Sequence, residues 1–269
     1  MTRLMVCLSL MAIATSTYAA DGNSHLLAVD DKVNAPTDTW FRFKAITEEA
    51  GKPPREMIFE VQNKGPKRLV NFEAPGDMRG TRVLVLSRQQ MWVYLPAYKK
   101  VRRVASHVKQ QGFMGTMYSD EDMSTSRYSE VYSATLVSEN DQAISLKLSP
   151  KEGSKSGYAG LEMDLRKDLM LPTEIRFFNG DGLHIKTETR PDYDCDSQVC
   201  TPKEMKMVDH TRGGASTRLI AEERQRGTHL LLDASPVSDT QLVLGKFLSA
   251  FAFLGLLTLA TLYMPALIF

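Results

Sequence analysis

Short stretches of alternating polarity, cut at regular intervals by glycine and proline, constrain this chain more than any other feature. Phe41, Phe43 and Ala45 fall on one side of an extended segment, and Arg42 and Lys44 on the other. That period of two is the signature of a half-buried strand. Gly51, Pro53 and Pro54 end the segment. Met57, Phe59 and Val61 form the next apolar side, Gly65-Pro66 breaks it, and Val70 and Phe72 begin another. Pro75-Gly76 interrupts the chain again before a segment over 81–87. Further strands are predicted over 90–95, 127–136, 142–148, 160–164, 172–178, 184–190, 202–210 and 216–221, with Gly213-Gly214 as a hairpin turn between the last two. Many short strands separated by turn signals make a mainly β (α+β) fold, one large antiparallel sheet or open barrel. The apolar side is rich in aromatics and methionine. A short helix is expected near 25–32. A second is expected over 120–123, with Ser119 as its N-cap and Asp120, Glu121 and Asp122 at the positive end of the helix dipole. The stretch 101–111 reads equally as a weak helix or a loop.

The two ends have a different character. The first twenty residues carry the parts of a secretory signal: Arg3, an apolar core over 4–14 too short to span a bilayer, and small residues before a cut after Ala19 or Ala20. Cys7 follows Val6 inside that core, so it is no lipoprotein acylation site. At the other end, 247–269 holds 23 residues without a charge, enough for a transmembrane helix. Three parts are expected: a signal peptide over 1–19, one domain over 20–222, and a linker with a C-terminal transmembrane helix over 223–269. The chain holds 33 Lys and Arg against 32 Asp and Glu, and loss of Arg3 with the signal leaves 32 of each. A neutral domain lacks the basic excess that nucleic-acid binding requires.

Little in the sequence points to catalysis. The five histidines, His25, His107, His184, His210 and His229, are scattered without metal-protease spacing, and no Gly-x-Ser-x-Gly occurs. Asp192, Asp194 and Asp196 alternate as at the start of a calcium loop, but Ser197 and Lys203 stand where glycine and glutamate belong. Cys195 and Cys200 read as a disulfide across a hairpin turn in an oxidising compartment. The alternative is a zinc site with His210, for which the spacing fits no common pattern and a fourth ligand is missing. No metal and no cofactor are expected.

The stretch 91–123 is the most distinctive. A strand with Trp92 and Tyr94 ends at Pro96, the basic run Lys99, Lys100, Arg102 and Arg103 follows, and then come Phe113-Met114 between Gly112 and Gly115 and the acidic cluster 120–122. The basic run reads as a solvated strand face, as a partner of the acidic cluster, or as a docking patch for an acidic partner or lipid head groups. Phe113-Met114 reads either as core or as a flap over an apolar site.

These motifs, in this order, resemble the LolA-like outer-membrane lipoprotein-sorting family of periplasmic proteins. The matching residues are Pro75, Gly80-Thr81, the run from Trp92 to Pro96, Lys100 to Arg103, Phe113-Met114-Gly115 and Asp120-Glu121-Asp122. The resemblance spans about 23–222. It implies a curved antiparallel sheet, an open half-barrel covered by a few helices, whose hollow holds an acyl chain of a lipid or lipoprotein. It also implies a non-enzymatic carrier in the periplasm of a Gram-negative bacterium, working beside an inner-membrane exporter of ABC or RND type. Carried onto this chain, the cavity wall is Phe41, Phe43, Phe59, Phe72, Trp92 and Tyr94, with Phe113 and Met114 as lid. Residues 223–269 resemble one transmembrane segment, with its lead-in, of a type-2 ABC transporter permease, which gives a membrane-anchored accessory subunit or a permease fragment as the alternative. An exported domain would place Arg224 and Arg226 outside, against the positive-inside rule. The tail is thus either an anchor of unusual orientation or a remnant of a gene fusion.

Overall fold

The computed structural model describes residues 21–35, 38–104, 112–196, 199–226 and 251. The expected signal peptide, all but one residue of the expected transmembrane helix and the larger part of 101–111 lie outside them. Among the described residues no helix is long and apolar enough to cross a membrane.

Among the described residues fifteen strands carry the fold. They are β1 (Asp38–Glu48), β2 (Arg55–Lys64), β3 (Lys67–Ala74), β4 (Arg82–Ser87), β5 (Gln90–Leu95), β6 (Lys100–Arg103), β7 (Tyr132–Glu139), β8 (Ala143–Pro150), β9 (Gly160–Arg166), β10 (Leu171–Phe178), β11 (His184–Thr189), β12 (Tyr193–Asp196), β13 (Val199–Pro202), β14 (Glu204–Asp209) and β15 (Ala215–Arg226). Thirteen form one sheet in the order β6-β5-β4-β3-β2-β1-β15-β14-β11-β10-β9-β8-β7, and β12 and β13 pair separately. Every pairing among the described residues is antiparallel, and the long β15 joins the two halves of the sheet by lying against β1 from Thr39↔Arg226 to Glu48↔Ser216. This is the mainly β, antiparallel architecture expected from the alternation, with the curvature that the resemblance implies.

Register makes the alternation into a core. Phe43 stands opposite Phe59 on β2, and Phe59 opposite Phe72 on β3. Their rings follow one another at 5.9 and 5.4 Å, Phe41 extends the ladder at 5.7 Å and Phe113 at 6.1 Å. Such cross-strand aromatic pairs add to burial worth about 1.5–3 kcal/mol per large apolar side chain. The opposite face is held by charges: Arg42 meets Glu73 at 3.0 Å and Glu222 at 2.5 Å, and Arg176 reaches Glu162, Asp164 and Glu174.

Helix α1 (Gly22–Val33) covers part of the inner face with Leu26 and Val29. It starts hard against β7, since a Cβ on Gly22 would sit 2.6 Å from the Leu136 nitrogen. Its buried Asp30 carboxylate accepts the backbone N–H groups of Tyr128 and Ser129, each at 2.8 Å. That bond explains one departure from the sequence reading. Residues 128–130 form a 3-10 turn instead of strand, and β7 begins only at Tyr132. A second departure is β6, where a weak helix or a loop was read; Val101 pairs with Tyr94 instead.

Candidate functional site

The hollow of the sheet encloses a cavity of about 240 Å³, against the roughly 10–15 Å³ that one water needs. Its floor is apolar: Phe41 and Phe43 from β1, Phe59 and Val61 from β2, Leu161 from β9 and Phe177 from β10 all line it. Alternation places them there, because each faces inward from a strand whose neighbours face solvent. The exposed residues Val33, Gly65 and Pro66 mark the mouth, beside Thr201 and Pro202 of the β12–β13 hairpin.

The roof is the segment 118–126, built around the short helix α2 (Asp120–Ser124). Ser119 and Asp122 cap it reciprocally: the Asp122 N–H donates to Ser119 Oγ at 3.1 Å, and the Ser119 N–H to Asp122 Oδ2 at 2.7 Å. Asp122 Oδ1 takes the Tyr158 hydroxyl at 2.8 Å, and Lys186 Nζ stands 3.6 Å from Oδ2. Burial holds the Asp122 carboxyl above its ordinary range despite that lysine. Asp120 is pushed up to about 6 by burial and by the neighbouring Asp122. Glu121 is the rivet. It accepts from Arg88 in the β4–β5 turn, and also from Ser156 Oγ at 3.2 Å and the Gly157 N–H at 2.9 Å in the β8–β9 connection. Arg88 donates in turn to the Ser154 carbonyl at 2.5 Å. One carboxylate therefore joins turns from opposite ends of the sheet.

Charges also enter the hollow from β11. Lys186 and Glu188 face inward and Arg190 follows beyond the strand, while Thr187 and Thr189 occupy the alternate positions. Arg190 Nε donates to Glu188 Oε1 at 2.8 Å. From β3, Arg68 donates to Asn63 Oδ1 at 3.0 Å and to the Met123 carbonyl at 2.7 Å. Desolvation on burial lowers the Arg68 pKa, with Arg190 adding repulsion. Burial raises the Tyr118, Tyr128, Tyr132 and Tyr158 hydroxyls above the phenol range, so all four remain protonated donors.

Several expected site residues are found elsewhere. Phe41, Phe43 and Phe59 line the cavity, but Phe72 is fully buried behind them as part of the ladder. Trp92, expected on the wall, is 36% exposed on the outer face, with Arg103 over its ring at 5.9 Å. Tyr94 shares that outer side, because Met91 and Val93 hold the inner positions of β5. Phe113 is no lid: it is 3% exposed and packs against Phe72. Met114 packs on the same core and does not line the cavity. Gly115, at φ +84°, serves the tight turn after Phe113. The acidic cluster turns inward and does not pair with the basic run. Lys99, Lys100, Arg102 and Arg103 lie exposed on and beside the edge strand β6, and none forms an ion pair among the described residues. Cys195 and Cys200 face each other across β12–β13 and form a disulfide, which removes the zinc alternative. Among the described residues no group of three or more His, Cys, Asp or Glu is placed to hold a metal ion.

The same fold occurs in solved structures. A DUF1329 family protein from Desulfovibrio piger superposes with a TM-score of 0.71 at 23% identity, over 77% of this chain and 92% of that one. An outer-membrane lipoprotein-sorting protein domain from Vibrio parahaemolyticus gives 0.67 at 25% identity, over 77% and 92%. A LolA superfamily protein from Nitrosomonas europaea gives 0.65 at 17%, over 78% and 94%. A family model described as an uncharacterized protein matches residues 64–230, more than half of the chain. The chain belongs to the family that this model describes, and its fold is LolA-like. No protein of curated function matches it. In this LolA-like chain the sequence reading missed the charged lining. Lys186-Thr187-Glu188-Thr189-Arg190 does alternate, but with no apolar side to show which half turns inward.

Proposed function

We propose that the protein is a periplasmic, non-enzymatic carrier that holds an acyl chain of a lipid or lipoprotein in the hollow of its sheet and exchanges it with an inner-membrane exporter of ABC or RND type. The observation that carries this reading is the 240 Å³ cavity with an aromatic floor. A void of that size and lining is unfavourable in a protein interior unless a ligand fills it. Each methylene buried there contributes about 0.8 kcal/mol. The lipoprotein-sorting description of the Vibrio parahaemolyticus relative supports the same cargo class. The basic residues on and beside the edge strand β6 supply a docking patch for an acidic surface of the exporter. The uncharged run over 247–269 would tether the carrier to the inner membrane.

Native mass spectrometry of the protein purified from its own envelope tests the reading. The expected result is a recurring, chemically intact lipid mass bound one to one. A protein that is empty throughout, and that takes up no lipid from vesicles, would overturn it. Recovery of cleaved lipid with turnover would replace the carrier with a hydrolase.

A further inference from the structure

Among the described residues, five charged ones line the cavity: Arg68, Glu121, Asp122, Glu188 and Arg190. Four of them are neutralised inside the protein. Glu121 is paired with Arg88, Asp122 lies 3.6 Å from Lys186, and Glu188 and Arg190 are joined at 2.8 Å. Arg68 is the exception. It is partly buried, its contacts are the Asn63 side-chain oxygen and the Met123 carbonyl, and it makes no ion pair with a carboxylate among the described residues. Those two contacts hold Nε and Nη1 and fix the guanidinium plane. The cavity thus carries one unbalanced positive charge on a rigid fork of donors suited to a carboxylate or phosphate.

A second observation points the same way. Tyr118 lines the same cavity, and its buried hydroxyl has no hydrogen-bond partner among the described residues. A buried donor left unmet costs free energy that an acceptor oxygen would recover. Gly65 and Pro66 at the mouth belong to the β2–β3 hairpin that also carries Asn63 and Arg68. The charge therefore sits at the entrance, with the aromatic floor beyond it.

We infer that the cargo is an anionic amphiphile, whose tail fills the aromatic floor and whose carboxylate or phosphate oxygens are bound at the mouth by Arg68. This rests on the carrier reading above and narrows its cargo.

The test uses the full-length chain in amphipol and three probes sharing one diazirine-bearing sixteen-carbon tail: a carboxylic acid, a monoalkyl phosphate and a neutral alcohol. Photolabelled peptides are identified by mass spectrometry, and only labels on cavity-lining strands are counted. At least one anionic probe should label at about tenfold lower concentration than the alcohol, the size of one charge-assisted bond in a desolvated site. Acid ahead of phosphate identifies a carboxylate head, and the reverse a phosphate head. Arg68→Met should remove the preference while leaving alcohol labelling in place, and Arg68→Lys should retain most of it. Equal labelling by all three probes in the wild type overturns the anionic head and leaves the carrier intact. A preference that survives Arg68→Met overturns the role of Arg68. No labelling of cavity strands by any probe overturns the carrier reading itself.

Discussion

Removing the Arg88 guanidinium tests how far the roof holds the two ends of the sheet together. The side chains of Arg88 and Glu121 are only 10% and 3% exposed. In Arg88→Met, Glu121 keeps the Ser156 hydroxyl and the Gly157 N–H but loses its counter-charge. The Ser154 and Lys155 carbonyls lose their donor as well. Stranding one charge of a buried pair costs about 3–5 kcal/mol, and that is the expected loss in urea unfolding. Glu121→Gln keeps the shape but leaves the buried Arg88 without its counter-charge, so its cost should be similar, about 3–5 kcal/mol. The double variant leaves no buried charge unmatched. It should fall short of the sum of the single losses by at least about 1 kcal/mol, within the range for residues in direct contact. Equilibrium urea curves for the four proteins give the cycle directly. Additivity within about 0.5 kcal/mol would show that the pair is uncoupled and refute the rivet.

Three further outcomes follow from the same geometry. Phe41→Asp places a carboxylate in the apolar floor and should reduce lipid retention by about 2.5–3.5 kcal/mol, on the order of a hundredfold; Trp92→Asp, on the outer face, should leave the bound-lipid signal in native mass spectra unchanged. Because the folded Asp120 carboxyl is raised to about 6 from an ordinary value near 4, its contribution to stability is full below the ordinary value and is lost as pH rises towards 6. Asp120→Asn removes that dependence, so its stability relative to wild type in urea should improve between pH 4 and pH 7, and a constant difference would refute the assignment. Gly22→Ala forces a Cβ into the β7 backbone and should cost about 1–3 kcal/mol, read as a lowered Tm; an unchanged Tm would show that α1 shifts freely on β7.

Much of the sheet was legible because β1, β2 and β3 alternate cleanly, and their phenylalanines meet in register as the pattern required. The capped helix at 120 was legible too, since Ser119 and Asp122 satisfy each other within four residues. Strand β5 was not. Met91-Trp92-Val93-Tyr94 is apolar at every position, so periodicity could not orient it, and assigning the largest rings to the wall chose the wrong face. The direction of the acidic cluster was hidden for another reason. Glu121 and Asp122 answer Arg88, Ser156, Gly157 and Lys186, partners 33 to 64 residues away that only the tertiary fold brings near.

The sheet ends at β6 on one side and at β7 on the other, with no ladder between them among the described residues. A closed barrel has a girth set by its strand number and stagger. This one is a clasp. Its two halves meet along the long β1–β15 seam and are fastened across the hollow through the roof, by Glu121 with Arg88, by Arg68 with the Met123 carbonyl and by Lys186 with Asp122. On the carrier reading, that roof is the part that would yield to cargoes of unequal thickness and the place where a partner would pry when cargo is let go.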